Sequence, residues 1–177
     1  SYMKKFSSTD EAIDSLIKWQ MAKSSTSGFV TGLGGIITLP VAIPVNIASV
    51  LYVQMRMIAA IAHMRGYDLK DDQVQTFVFI CLTGQAASDI LKQSGITVGT
   101  KLTVQLIKKV PGTTLTKINQ KVAFRLVTKF GEKGVINLGK LVPIVGGVIG
   151  ASVDGVGTKI IGNQAKKLFV EFDSPVI

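Results

Sequence analysis

The sequence predicts an all-α fold, a compact multi-helix bundle with glycine-rich apolar helices at its centre. Three observations predict it. Apolar residues recur at helical spacing along most of the chain, as in Ala12, Ile13, Leu16, Ile17 and Trp19. Asn-Gly turns and the apolar/polar alternation of half-buried strands are absent. Glycines gather in apolar stretches rather than in a collagen-like or low-complexity pattern, with 18 of them in 177 residues.

Taken in order, Ser8-Thr9-Asp10-Glu11 fits a capping box, with Ser8 as N-cap, and the helix it opens runs to about Lys23. Residues 24–28 read as a loop. Gly28–Leu39 is a short glycine-rich helix, and Pro40 and Pro44 break the pattern, since each lacks an N–H and restricts the residue before it. A long helix follows from Val45 to Arg65, with Gly66 as its stop. Asp71-Asp72 suit the first turn of another helix, to about Ser94, where Gly95 ends it. Two basic helices cover roughly 97–109 and 113–130, separated by Pro111-Gly112. The last apolar stretch, Val135 to Phe169, has a break at Pro143. No internal boundary divides residues 3–177, which are expected to form one domain. Ser1-Tyr2 ahead of Met3 reads as an expression remnant, with the native start at Met3 or upstream.

Residues 24–55 carry no charge, a run of 32. Length alone suggests a membrane span, but the prolines divide it. Gly28–Leu39 as a helix is about 18 Å long, short of a hydrocarbon core of about 30 Å. The second part meets Arg56, which is costly in lipid. Two core helices joined by a proline turn are therefore expected. In the second of them Ser49, Arg56 and His63 recur every seven residues and share one stripe. Because the helix is otherwise apolar around most of its circumference, the stripe is expected to be buried, with Arg56 paired to a carboxylate such as Asp68 or Asp89, or else holding a ligand headgroup. Asp154, the only charge between Lys140 and Lys159, joins this buried polar set and should pair with a cation or cap a neighbouring helix. Gly28 and Gly32, Gly146 and Gly150, and Gly147, Ala151 and Gly155 place small residues one turn apart, which suits close helix approach in membranes and in soluble bundles alike.

Composition narrows the chemistry. One cysteine, Cys81, excludes an intrachain disulfide, and one histidine with one cysteine cannot build the usual zinc site. The N-terminus is polar and acidic where a secretory signal would be apolar. Thr31-Gly32-Leu33-Gly34-Gly35 matches neither the phosphate loop nor the dinucleotide fingerprint. No nucleophile–base pair, paired carboxylates or metal constellation emerges, so no catalytic residue, metal or cofactor is expected. The net charge of +9 is confined: residues 92–140 hold ten basic residues against Glu132 alone, and the remainder sums to zero. Such a segment suits an anionic partner, lipid or nucleic acid, or a solvated face. Within it Lys117, Lys121, Arg125 and Lys129 recur every four residues beside an apolar stripe of Leu115, Ile118, Val122, Leu126 and Phe130. This basic amphipathic helix is the candidate lipid- or anion-binding element. It lacks the interleaved aromatics and the docking motif of a nucleic-acid binder.

Residues 17–69, containing Thr26-Ser27-Gly28-Phe29-Val30 and Leu39-Pro40 with Pro44, and residues 129–155, containing Lys129-Phe130-Gly131-Glu132-Lys133-Gly134 and Asn137-Leu138-Gly139-Lys140, resemble the EcsC protein family. The blocks occur in the family's order and extend over nearly the whole chain. The resemblance implies a helical, membrane-related, mainly bacterial protein and transfers no active site. The resulting expectation is a non-enzymatic protein at the bacterial cytoplasmic membrane surface or in the cytoplasm, binding anionic lipid or a membrane protein. Alternatives are a membrane-inserting, pore-forming effector that is secreted, and a nucleic-acid or protein-binding module.

Overall fold

The structure, a computed structural model, describes residues 2–24, 45–96, 104–130 and 148–170. After a 3₁₀ turn, Tyr2–Lys5, seven α-helices follow among these residues: α1 Thr9–Ser24, α2 Val45–Met64, α3 Asp72–Leu82, α4 Ala87–Gln93, α5 Val104–Lys108, α6 Gly112–Phe130 and α7 Val148–Leu168. The expected helix over Gly28–Leu39, its Pro40–Pro44 turn and the Pro143 break lie outside the described residues. So do the Gly28–Gly32 pair and Gly146 and Gly147.

Local sequence explains the helix ends. At α1 the Ser8 hydroxyl accepts the Glu11 N–H at 3.1 Å, as a capping box requires, but the Glu11 carboxylate reaches the Ser7 N–H at 3.1 Å rather than that of Ser8. It also accepts the Ser7 hydroxyl. These Ser7 bonds, the hydroxyl's first, hold the Glu11 carboxyl below its ordinary 4.5. Gly66 and Gly95 stop α2 and α4 as expected, at φ of 87° and 81°. Both ends are Schellman motifs. Gly66 and Tyr67 donate back to His63 and Ala62 at 3.0 and 3.1 Å, and Gly95 and Ile96 donate to Lys92 and Leu91 at 3.0 and 2.9 Å.

One expected helix is two. The segment from Asp71 to Ser94 is interrupted by a 3₁₀ turn, Gly84–Ala86, between α3 and α4. The Thr83 hydroxyl donates to the Ile80 carbonyl at 2.6 Å, and Gly84 takes φ of 63°, a conformation that ends an α-helix. The turn then packs against α7.

Packing places α3 at the centre. It contacts α2, α4, α5, α6 and α7, while α1 closes against α7 and α2. Val74, Thr76, Phe77, Val78, Ile80, Cys81 and Leu82 of α3 are all buried. One connected apolar cluster runs from Ile13 and Ile17 through Met57, Ile61, Phe77 and Leu91 to Ile118 and Phe169. Tyr67 lies edge-on to Phe169, with centroids 5.0 Å apart, and burial pushes its phenol up to about 12. Where α1 meets α7, Gly162 is buried directly against Ile17: a Cβ there would stand 2.7 Å from Ile17 Cγ1. The small residue is what lets these two backbones approach.

The expected central, buried stripe of α2 is corrected by this arrangement. Arg56 and His63 are exposed, and Arg56 lies over the Tyr52 ring at 5.9 Å. α2 packs on α1, α3 and α7, which leaves one of its faces to solvent. The polar residues that α2 does bury are different ones. Gln54 donates to Thr158 of α7 at 3.3 Å, and Arg65, just beyond the helix, pairs with Asp10 of α1. Lys166 of α7 extends this cluster, 2.8 Å from Asp14 and 3.9 Å from Asp10. The side chain of Asp154 lies outside the described residues. No helix among the described residues is long and apolar enough to cross a membrane.

Candidate anionic-surface site on α6

α6 sorts its residues by chemistry around its circumference. Leu115, Ile118 and Val122 are buried and Leu126 is half-buried, so the apolar stripe faces the core, against α3. On the outward side Lys117 and Arg125 are exposed, and Lys121 is half-buried. The side chains of Lys129 and Phe130 lie outside the described residues. The basic ridge expected from the four-residue spacing is therefore formed by its described members.

The ridge residues are not equivalent. Lys121 Nζ donates to the carbonyl of Gln93, the last residue of α4, at 3.1 Å. That carbonyl is among the four that a helix C-terminus leaves without an internal partner, and it carries the negative end of the helix dipole. Lys121 thus fastens α4 to α6 as well as supplying charge. Lys117 and Arg125 have no ion-pair partner among the described residues.

Phe124 was not singled out by the sequence reading. It is 71% exposed, the most exposed large apolar side chain among the described residues. It lies seven residues from Lys117, two turns along the same face, and between Lys121 and Arg125 in sequence. Its signal was its position off the apolar stripe: the stripe runs Ile118, Val122, Leu126, and Phe124 belongs to the other side of the helix.

Beside the ridge lies a groove of about 400 Å³ between α4 and α6. Asp89, Ile90 and Gln93 line one wall, and Lys121, Phe124 and Arg125 the other. A second hollow, about 290 Å³, separates α3 from α6 and is lined by Asp72, Gln75, Phe79, Thr116 and Asn119. No group of three or more metal-ligating side chains occurs among the described residues. Cys81 is fully buried and its thiol is pushed far above its ordinary range by desolvation, which keeps it protonated. Of the other candidates, Arg56 and His63 lie on α2, away from these grooves.

Compared with known proteins, residues 4–170 match the pattern of the EcsC protein family. No curated protein and no solved structure matches the chain.

Proposed function

The chain belongs to the EcsC protein family, and from that premise we propose that it is a non-enzymatic binding protein that docks on an anionic membrane surface through the outward face of α6. The observation that carries this reading is Phe124, exposed to 71% on the outward side of α6 beside Lys117 and Arg125, which have no ion-pair partner among the described residues. Cations next to a protruding aromatic suit an interface in which phosphates lie above acyl chains. Each basic residue near such a surface contributes about 1 kcal/mol, and the ring can enter the headgroup boundary. The buried stripe of α6 supports docking by the folded protein rather than by an unfurled helix. The confinement of the whole net charge to residues 92–140 is in keeping with one segment that meets an anionic partner. A membrane surface facing the bacterial cytoplasm is the setting this reading assigns.

Vesicle flotation tests it. The protein is expected to float with phosphatidylglycerol vesicles and to remain in solution with phosphatidylcholine vesicles, and to dissociate as salt rises, since screening shortens to about 8 Å at physiological ionic strength. A trapped dye should stay inside. Dye release would favour the inserting, pore-forming reading. Binding to RNA or DNA without flotation would favour the nucleic-acid reading, and equal flotation with both lipids would remove the electrostatic basis of the proposal.

A further inference from the structure

The groove between α4 and α6 carries both signs of charge, which a surface built only for phosphate would not need. Asp89 is exposed in the first turn of α4 and lines one wall. Arg125 and Lys121 line the other, with Phe124 at the same wall. Asp89 and Arg125 both line the opening, and neither has an ion-pair partner among the described residues. Ile90 and Gln93 complete the α4 wall, and the Gln93 carbonyl holds Lys121 in place at 3.1 Å. The volume, about 400 Å³, lies within the usual range for small-ligand sites of about 300–1,000 Å³.

We infer that this groove binds a lipid headgroup that carries a phosphodiester and a primary amine, as that of phosphatidylethanolamine does. The inference rests on the membrane-docking reading above and adds to it a headgroup preference. The phosphodiester lies against Arg125, whose planar fork matches two phosphate oxygens, with the Lys121 ammonium adding charge. The amine lies against the Asp89 carboxylate, and the face of Phe124 offers a second attraction for the cation. A headgroup with phosphate alone would satisfy one wall and leave Asp89 repelling it. The ridge then supplies sequence-wide attraction to an anionic bilayer, and the groove selects among the lipids found there.

The test uses the full chain and soluble headgroups. Amide chemical shifts are followed during titration with glycerophosphoethanolamine and, separately, with glycerophosphoglycerol, a phosphodiester without the amine. The former should shift residues lining the groove, Asp89, Gln93, Lys121, Phe124 and Arg125, and should bind roughly three- to tenfold more tightly than the latter, the gain expected of one exposed ion pair with a cation–π contact. Asp89→Asn should bring the two dissociation constants together, and Asp89→Glu should keep the preference. Should Asp89→Asn melt, the same spectra show it and Asp89→Glu decides, since a folded Asp89→Glu protein without the preference would overturn the assignment. Equal affinities in the parent, shifts away from the groove, or a preference that survives Asp89→Asn would overturn the assignment. Flotation on phosphatidylglycerol vesicles without any headgroup preference would overturn the groove assignment and leave membrane docking standing. A preference in solution with no flotation on vesicles of either lipid would assign the groove to a free phosphoamine and overturn its lipid source.

Discussion

Gly157 and Gly162 both lie on α7, and adding one methyl to each should have opposite effects. At Gly162 a Cβ would stand 2.7 Å from Ile17 Cγ1 and 3.2 Å from Cγ2. Ile17 is buried and branched at Cβ, so it cannot rotate clear. Gly162→Ala should cost about 1–3 kcal/mol through overpacking. At Gly157 nothing lies within 4 Å, so Gly157→Ala should add about 0.5–1 kcal/mol by restricting the unfolded chain. Paired thermal melts check both, and a Gly162→Ala protein as stable as the parent would deny the close α1–α7 approach. Glu11 supplies a pH-dependent case. Its folded pKa is depressed, so its contribution is present above the ordinary 4.5 and is lost as pH falls through the lower folded value. Glu11→Gln should therefore melt below the parent at neutral pH, and the gap should close in acid. A gap that persists below the depressed pKa would contradict the Ser7 contacts. The capping signal was legible because Ser8 and Glu11 are local. Arg56 was misread for the reciprocal reason: helical spacing places it on a stripe with His63, but which stripe faces the core depends on where α1, α3 and α7 pack. Arg65, not Arg56, received the carboxylate, and its partner Asp10 lies 55 residues away in sequence.

Among the elements, α6 was read almost to its ends, 113–130 expected against Gly112–Phe130 observed, because its amphipathic pattern is strong and Pro111 precedes it. The interruption between α3 and α4 was harder to see. Apolar spacing continues through Leu82 to Ile90 and Leu91, and only Thr83-Gly84 marks the turn. The groove depends on that turn, since it allows α4 to leave the α3 axis and face α6. It also gives Lys121 its acceptor on Gln93. This predicts unequal behaviour along one ridge. Lys121→Gln should lower stability by about 0.5–1 kcal/mol, the value of a charged side chain closing a helix C-terminus. Lys117→Gln, at an exposed position without an ion-pair partner among the described residues, should leave the melting temperature unchanged. Denaturant titrations of the two variants, with equal m-values, separate these outcomes. Equal losses would mean that the Lys121–Gln93 bond contributes nothing.

For the molecule as a whole, charge segregation was fully legible, because it needs only counting along the chain. The direction in which the charged segment points was not, since it depends on α6 burying its apolar stripe against α3. That packing leaves Lys117, Phe124 and Arg125 exposed together on the outer side of α6. The central claim, that this side meets an anionic bilayer, is tested most directly by flotation of the double variant Lys117→Gln/Arg125→Gln beside the parent on phosphatidylglycerol vesicles at low salt. Neither residue has an ion-pair partner among the described residues, so the variant should melt with the parent. Two surface charges at about 1 kcal/mol each should weaken partition by about 30-fold. Partition equal to that of the parent, with the fold intact, would contradict the account and leave the basic face as a solvated surface.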